Sequence, residues 1–235
     1  NRTLGLLKQF FDWAIGRGTI AMNPAIGIPK AMKETPRERI LSLAEMRNIY
    51  SAARHLSPAN KLFIQMLLLT GQRAGVIAKL CRTEWLDDHL EIAGERNKSG
   101  ERILVPLSAV AQQKLAEVGH TNGSFLVSTT NGLKPISGFS KLKKKIDLLS
   151  GVTDWRLHDV RRGLATHFED NGVDRFYVER ILNHKDNSVT GIYARSNHLE
   201  MRQNIFEQWS EILTSKDGSS SENVIRFRGA KGWSA

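Results

Sequence analysis

The sequence predicts a mainly α-helical fold with one small antiparallel β-sheet, that is, an α+β fold. Several segments place apolar residues at helical spacing, and the clearest stripe is Leu157, Val160, Leu164 and Phe168. By contrast, residues 89–106 alternate apolar and polar side chains on either side of a polar turn, a pattern that is typical of a β-hairpin. Apolar residues make up 40% of the chain, enough to fill a core in a protein of this length.

The N-terminal region is predicted to be the last part of a helical domain. Residues 1–15 have the period of an amphipathic helix that ends at the two glycines of residues 16–18, and Asn23 and Pro24 begin a short turn of helix. The buried side of the first helix is predicted to contain Leu4, Leu7, Phe11, Ala14 and Ile15. Because one helix cannot bury such a face alone, residues 1–28 are expected to belong to a domain whose beginning is absent.

Residues 29–40 are predicted to be a linker between domains, because they are rich in charge and contain Pro29 and Pro36. Two roles stay open for the basic side chains of this segment: they lie against the phosphates of a nucleic acid, or they keep the linker solvated. These side chains are Lys30, Lys33, Arg37 and Arg39.

The main domain is predicted over residues 41–213. Its first helix follows Ser42 and Glu45, which have the spacing of a capping box. The next helix begins at Pro58 and is strongly apolar in its second half. Arg73 then lies at the start of a further helix, where the free backbone N–H groups of a first helical turn suit a phosphate.

The hairpin carries Lys98 at its tip, a position that is ordinarily solvent-exposed, and a possible third strand lies at residues 124–128. The most basic helix is predicted over residues 137–149, with Ser137 as its N-cap. Its inward-facing side is predicted to contain Phe139, Leu142, Ile146 and Leu149. Its outward-facing lysines, a face that is commonly only solvated, are Lys141, Lys144 and Lys145. A final amphipathic helix is predicted over residues 198–213.

Charge and composition limit the classes of function. Lys and Arg number 34 against 24 Asp and Glu, and this net charge of +10 indicates a polyanionic partner, nucleic acid first and an acidic membrane second. No apolar run reaches the length of a membrane span and no secretory signal is found, so a cytoplasmic location is predicted. The single Cys81 permits no internal disulfide and is predicted to be a small buried hydrophobe. Because metal-ligand and nucleotide-binding motifs are absent, no cofactor is expected.

The sequence L-H-D-V-R-R holds the most informative pair of residues, His158 and Arg161. On a helix, Arg161 falls on the shoulder of the apolar stripe with His158 nearby, whereas Asp159 points away. Because arginine keeps its charge, a half-buried guanidinium needs an anion beside it, and a phosphate suits its forked geometry. An H-x-x-R pair on a helix is ordinarily a surface pair or contains a core histidine with its hydrogen bonds satisfied. A functional role for His158 and Arg161 therefore needs the support of further motifs. His184 and Tyr193, which are also weak signals in isolation, follow at nine-residue spacing.

Five motifs stand in an order and spacing that resemble the tyrosine recombinase (phage integrase) family. They are T-G-Q-R at 70–73, R-N-K-S-G-E-R-I-L-V-P-L at 96–107, L-H-D-V-R-R at 157–162, L-N-H-K at 182–185 and I-Y-A-R at 192–195. The resemblance covers roughly residues 41–213 and implies the fold of that family's catalytic domain. Residues 1–28 resemble the C-terminal helices of its core-binding domain. The implied activity is site-specific DNA recombination, in the integration or excision of a prophage or mobile element.

The resemblance implies that a phosphodiester is held and activated by several side chains. Arg73 and Arg161 neutralise its non-bridging oxygens. His158 is the candidate general base, and Lys98 is the candidate acid that protonates the 5′ oxygen. His184 hydrogen-bonds the phosphate and positions the nucleophile.

Tyr193 is the nucleophile that the resemblance implies. Its attack yields a 3′-phosphotyrosyl bond and a free 5′-hydroxyl, so the bond energy is retained without metal or ATP. The implied partners are double-stranded DNA, further copies of the chain in a tetramer on DNA, and accessory DNA-bending or directionality proteins. The final helix packs on its own domain or is donated to a neighbouring protomer. The tail, residues 214–235, is flexible or forms a short strand docked in trans.

The resemblance also implies that the basic helix of residues 137–149 enters the major groove. Its lysines would then bind phosphates, and Ser137, Ser140 or Lys141 would meet base edges. The predicted DNA-contact residues are Ser137, Ser140, Lys141, Lys144 and Lys145.

One departure from the family pattern is Val76, which stands three residues after Arg73, where the family usually carries a carboxylate. That carboxylate would orient the arginine, so Arg73 is expected to be looser here or held by another acid, with reduced but not absent activity. Two alternatives to a recombinase stay open: a relaxing type IB topoisomerase, and a catalytically silent DNA-binding relative. The helix after Tyr193 and the small size favour a recombinase over a topoisomerase.

Overall fold

The computed structural model describes residues 1–32, 37–96, 100–183 and 198–215. The chain divides into two compact units, Asn1–Glu38 and Arg39–Ala235. The predicted class is confirmed, because the described residues are mainly helical and form one three-stranded antiparallel sheet. Within the described ranges, no helix is both long enough and apolar enough to cross a membrane.

The first unit contains helix α1 (Arg2–Gly16), which ends as predicted, with Gly18 in the left-handed conformation at φ 69°. The prediction of a second short helix is wrong: residues 24–27 form turns, in which Asn23 Oδ1 accepts a hydrogen bond from Ala25 N at 2.9 Å. The predicted buried face is only partly right, since Leu7 and Ile15 are exposed. The side chain of Asn23 donates to Lys8 O and Asp12 Oδ1, so this turn covers a neighbouring side of the helix instead.

The second unit begins with helices α2 (Leu43–Ala52) and α3 (Pro58–Thr70). The predicted capping box is confirmed, because Ser42 Oγ accepts from Glu45 N at 3.2 Å and the Glu45 carboxylate accepts from Ser42 N at 2.9 Å. The helices that follow are α4 (Ala74–Ala78), α5 (Ala109–Ala116), α6 (Phe139–Ser150), α7 (Leu157–Asp170), α8 (Arg175–Ile181) and α9 (Leu199–Thr214).

The sheet consists of β1 (Trp85–Leu86), β2 (His89–Ile92) and β3 (Ile103–Pro106), paired antiparallel in that order. The predicted hairpin is confirmed as β2 and β3, but the prediction of a third strand at residues 124–128 is wrong. That segment makes one isolated bridge, between Cys81 and Phe125. Its backbone is instead engaged by its own turn, where Phe125 N donates to Gly132 O and Ile136 N donates to Val127 O. Cys81 is half-buried rather than buried, and burial raises the pKa of its thiol.

Helix α3 lies at the centre of the second unit, and every residue from 62 to 70 is buried. Helices α2, α5, α7 and α9 all pack against it. Gly71 ends α3 at φ 61°, and a Cβ atom there would lie only 3.1 Å from Leu164 Cδ1 of α7. Both the backbone conformation and the close approach of α7 therefore require glycine at this position.

Helix α9 packs on its own unit, which was one of the two predicted arrangements. It contacts α2, α3, α5 and β3. The Trp209 indole donates to Leu68 O at 2.8 Å, and the Arg47 guanidinium donates to Ile212 O at 2.7 and 2.9 Å. These bonds fix the middle and the end of α9 to the core.

Helix α6 begins later than predicted. Gly138, at φ 77°, is the residue before its first turn, so the assignment of Ser137 as N-cap is wrong. The prediction that Leu149 faces inward is also wrong: Leu149 is 41% exposed and Leu148 is 86% exposed, since the helix ends at Ser150 before the neighbouring core can cover them. The predicted outward lysines are confirmed as exposed; they are Lys141, Lys144 and Lys145.

Candidate active site

The T-G-Q-R motif forms the connection between α3 and α4. Thr70 Oγ1 donates to Met66 O at 2.6 Å, Gly71 turns the chain, and Arg73 is the residue before the first turn of α4. Arg73 is half-buried, and its side chain makes no hydrogen bond or ion pair with any other residue in the described ranges. Its guanidinium is therefore a cation that the described part of the protein leaves uncompensated.

Helix α7 positions His158 and Arg161. Arg161 is only 4% exposed, so it is more deeply buried than the shoulder position predicted. Its Nη1 donates to Gly71 O at 3.0 Å and its Nη2 donates to Leu182 O, so it bridges the T-G-Q-R connection and the start of L-N-H-K. No salt bridge joins it to a carboxylate of the described residues, although the charge of Glu179 acts on it from a greater distance. Asp159 instead accepts a hydrogen bond from Arg156 N at 2.9 Å and caps α7.

Arg73, His158 and Arg161 interact through their charges. Burial, and then the positive charge of Arg73, lower the pKa of Arg161 to about 10, while Glu179 acts in the opposite direction. Burial, and then the charge of Arg161, lower the pKa of His158, with smaller contributions in the same direction from Arg162 and Arg73. Asp159 acts in the opposite direction. Because burial and the neighbouring guanidinium groups disfavour the charged form, the imidazole of His158 is neutral near pH 7 and able to accept a proton.

Three of the six predicted catalytic residues lie outside the described residues. These are Lys98, His184 and Tyr193. Strands β2 and β3 flank the segment that contains Lys98, and Asn183 and His198 are the described residues on either side of the segment that contains His184 and Tyr193. Arg73, His158 and Arg161 thus interact electrostatically in the described part of the chain, and the catalytic roles of all six residues stay predictions.

A polar contact near the site was not predicted from the sequence. Gln72 is buried, and its Nε2 donates to Ile181 O at 2.9 Å and to Thr70 O at 3.1 Å. Its Oε1 accepts a hydrogen bond from Asn183 Nδ2 at 2.8 Å. Gln72 immediately precedes Arg73, and Asn183 immediately precedes His184, so this contact joins the neighbours of two predicted catalytic residues.

A second buried arginine, Arg202 of α9, was also missed. It is 4% exposed, and its Nη1 donates to Leu104 O at 3.0 Å and to Arg180 O at 3.5 Å. Burial lowers its pKa to about 10, and the charge of Arg180 acts in the same direction. The sequence does contain a signal for this burial. Arg202 precedes Ile205 and Phe206 by three and four residues, so it lies on the apolar side of the helix.

The predicted DNA-contact residues lie on and just before α6. All five are exposed; they are Ser137, Ser140, Lys141, Lys144 and Lys145. Their contacts with DNA stay a prediction. In the ranges that the structure describes, no cluster of three or more His, Cys, Asp or Glu side chains is arranged to hold a metal ion.

Comparison with known proteins identifies the family. Residues 39–200 match the model of the phage integrase family. Similar curated proteins include the integrase of Escherichia phage HK022, 27% identical over 206 residues, which cover 81% of this chain and 56% of that protein. The tyrosine recombinase XerC of Staphylococcus haemolyticus is 22% identical over 218 residues, covering 86% of this chain and 72% of that protein. The chain thus spans little more than half the length of the HK022 integrase.

Solved structures show the same fold. A lambda integrase (residues 75–356) dimer bound to a COC′ core site superposes with a TM-score of 0.60 at 22% identity, over 79% of this chain and 71% of that one. The integrase from mycobacterium phage Brujita gives a TM-score of 0.60 at 17% identity, over 94% of this chain and 74% of that one. Since the family model matches more than half of the residues, the chain belongs to the phage integrase family.

Proposed function

We propose that this protein is a site-specific DNA recombinase that cleaves and rejoins DNA through a 3′-phosphotyrosyl intermediate, in the integration or excision of a prophage or mobile element. The observation that carries the proposal is the pair of guanidinium groups, Arg73 and Arg161, beside the neutral imidazole of His158. The two guanidinium groups repel each other, and the charge of Glu179 offsets only part of that repulsion at Arg161. An anion bound between them would remove it. A DNA phosphate offers the oxygen geometry that a guanidinium binds best.

The residue types then define the reaction. Tyr193 Oη forms a bond to phosphorus while the bond from phosphorus to the 5′ oxygen breaks, and Lys98 gives that oxygen a proton. His158 accepts the phenolic proton, and His184 hydrogen-bonds the phosphate. Arg73 and Arg161 stabilise the charge that gathers on the non-bridging oxygens. Attack by a 5′-hydroxyl of another strand reverses these steps and rejoins the DNA.

DNA binding and assembly are part of the same proposal. The net charge of +10 and the exposed lysines of α6 suit a DNA backbone, and Ser137, Ser140 or Lys141 would meet base edges in the major groove. A lambda integrase tetramer bound to a Holliday junction superposes on this chain with a TM-score of 0.59, which supports a tetramer on two duplexes here. Such a protein would act in the cytoplasm, on chromosomal DNA, with accessory DNA-bending or directionality proteins.

A catalytically silent DNA-binding relative is the second candidate, and Val76 is the observation that favours it. Val76 is buried in the first turn of α4, so no acid at this position orients Arg73. The complete set of six polar residues in the sequence favours an active enzyme instead.

The test uses a pool of DNA duplexes that contain a randomised segment with a single-strand nick. Cleavage next to the nick releases a short 5′-hydroxyl fragment, so the protein stays covalently attached. We expect wild type to form a denaturant-stable adduct and Tyr193→Phe to form none, although both bind the pool. If both proteins bind and neither forms an adduct, only the silent DNA-binding module survives. Sequencing the trapped DNA would define the target site.

A further inference from the structure

The C-terminal turn of α8 is held by side chains from three other parts of the second unit. The carbonyl oxygens of Arg180, Ile181 and Leu182 accept hydrogen bonds from Arg202, Gln72 and Arg161, respectively. A helix leaves its last carbonyl groups without partners inside the helix, and they carry its negative dipole end, so cations and amide donors stabilise them. This turn is therefore fixed to α9, to the T-G-Q-R connection and to α7 at once.

Gln72 differs from the two arginines in this arrangement because its amide both donates and accepts. It donates to Ile181 O at 2.9 Å and accepts from Asn183 Nδ2 at 2.8 Å, while Asn183 Nδ2 also approaches Ile181 O at 3.4 Å. Asn183 has a φ of 51°, a left-handed conformation that turns the chain just before His184. The amide of Gln72 thus contacts the residues on both sides of Leu182.

We propose that Gln72 and Asn183 are positioning residues, whose hydrogen bond fixes the backbone that enters His184 relative to Arg73. This inference rests on the proposed function. Gln72 is joined to Arg73 by one peptide bond and Asn183 is joined to His184 in the same way, so movement of one pair shifts the other. Rotation of either backbone by a few tens of degrees would move the catalytic side chain by more than 1 Å, and a displacement of that size can lower a rate about a hundredfold.

Arg161 supplies the reason why a second bridge is needed. It joins Gly71 O to Leu182 O, which connects the same two segments through a single guanidinium. One bridge leaves the segments free to pivot about it. The contact from Gln72 to Asn183 lies one residue further along both segments, and the bond from Gln72 to Ile181 O lies on the other side of Leu182, so together they restrict that pivoting. If a DNA phosphate takes up hydrogen bonds of Arg161, the hydrogen bond between the Gln72 and Asn183 amides would still hold the T-G-Q-R connection against the end of α8.

The experiment compares Gln72→Met and Asn183→Gly with wild type. Methionine keeps the volume of Gln72 without its amide, and glycine accepts the positive φ of residue 183 without the side chain. With the trapped DNA sequence at saturating concentration, we expect each variant to form the covalent adduct about ten to a hundred times more slowly. The Kd for that DNA, measured in a Tyr193→Phe background, should stay within about twofold of the parent, because Gln72 is buried and neither side chain carries a charge for a phosphate.

Gln65 offers a matched control. It lies on α3, is 5% exposed against 3% for Gln72, and its Oε1 has no hydrogen-bond partner among the described residues. Gln65→Met therefore makes the same chemical change in the same core without breaking a contact to Asn183. We expect its rate of adduct formation to equal that of wild type.

A double variant, Gln72→Met with Asn183→Gly, tests whether the two residues act as one unit. We expect it to react at nearly the rate of the slower single variant, because the first substitution already breaks the hydrogen bond that the two side chains share. Any of three results would overturn the inference. The loss of rate in the double variant could equal the product of the two single losses, Gln65→Met could lose as much rate as Gln72→Met, or both single variants could react at the wild-type rate.

Amide hydrogen exchange gives a readout that does not depend on recombination. Leu182 N donates to Val178 O at 2.9 Å and Asn183 N donates to Arg180 O at 3.1 Å, so both amides report on this turn. We expect Gln72→Met to raise their exchange rates about tenfold, the equivalent of one lost hydrogen bond. Unchanged exchange would overturn the inference even if wild type forms the adduct. Faster exchange in a protein that forms no adduct would support the contact and overturn the catalytic role with the proposed function.

Discussion

Arg161 and Arg202 are two buried arginines that look alike when each is considered alone. Each is 4% exposed, burial lowers the pKa of each to about 10, and each donates to backbone carbonyl groups at the C-terminal turn of α8. Neither forms an ion pair with a carboxylate in the described ranges. Burial and a lowered pKa therefore do not by themselves distinguish a catalytic arginine from a structural one.

The two arginines differ in their neighbours. Arg161 lies beside the half-buried Arg73 and the neutral His158, so an anion that enters there meets two cations and a base. Arg202 is enclosed between α8 and β3, and its Nε has no partner among the described residues. Arg202 also has a half-buried cation beside it, Arg180, but the Arg180 guanidinium lies over the ring of Phe176. A second guanidinium without a described partner, together with a histidine, is therefore what indicates a phosphate site.

Replacing each arginine with lysine should separate the two roles, with the largest effect at Arg161. Lysine keeps the charge but cannot make two fixed contacts, so we expect Arg161→Lys to slow adduct formation about 10²- to 10³-fold. Arg202→Lys should instead lower the free energy of unfolding by about 1–3 kcal/mol, because a buried carbonyl group loses its donor. Adduct kinetics at saturating DNA and denaturant unfolding of both variants are the measurements.

Equal losses of rate in the two variants would contradict this assignment, since Arg202 would then act on the reaction as strongly as Arg161. A lower free energy of unfolding with an unchanged rate in Arg161→Lys would also contradict the assignment, because Arg161 would then be structural.

A smaller effect is expected at Val76, because α4 lacks the side-chain hydrogen-bond acceptor that α2 and α7 have in their first turns. Glu45 and Asp159 each accept a hydrogen bond from the backbone N–H three residues earlier, at the starts of α2 and α7. Val76 has the same position relative to Arg73 but carries no acceptor. We expect Val76→Glu to fix Arg73 and speed adduct formation about fivefold, the equivalent of one capping contact of about 1 kcal/mol.

Val76→Gln is the control for this variant, because it supplies an acceptor without a charge. It should give a smaller gain than Val76→Glu. An unchanged or lower rate in a folded Val76→Glu protein would show that Arg73 does not need this carboxylate.

The smallest expected effect is on the pKa of His158. Removing the charge of Arg73 in Arg73→Gln should raise this pKa, while burial and Arg161 still hold it below the usual value for histidine of about 6.5. The base must be neutral, so adduct formation declines as the pH falls through the pKa of the folded protein. That decline should move to higher pH in Arg73→Gln. NMR titration of the imidazole protons measures the pKa directly.

Arg54→Gln is the matched control for the titration, since the charge of Arg54 does not contribute to the shift at His158. A pKa that is unchanged in Arg73→Gln would mean that Arg73 and His158 are too far apart to share one phosphate.

Local pattern was sufficient to predict the elements that carry the site. Each of these elements is encoded by residues close to it in the sequence. They are the glycine that ends α3, Arg73 at the start of α4 and the helical stripe of α7. The contact between Gln72 and Asn183 is different, because 111 residues separate the two. No periodicity or cap reports such a contact, and only the packing of α3, α7 and α8 creates it.

The other errors have physical causes of the same kind. Strand β1 has only two residues, too few for an alternating pattern, and its pairing with β2 depends on a tight turn. Arg202 contradicts the usual rule that a charged residue is exposed, and only the carbonyl groups of Leu104 and Arg180 make its burial tolerable. Leu149 follows the helical period of α6, but the core does not extend to the end of that helix.

The anchoring of α9 has a consequence for the proposed reaction. Tyr193, the proposed nucleophile, precedes His198 by five residues, and an extended chain spans at most about 3.6 Å per residue, or about 18 Å in all. Under the proposed function, a DNA strand that is attacked while α9 stays on its own core has to pass within that distance of the start of α9, plus the length of one side chain. This short connection would limit which strand a single protomer can cut.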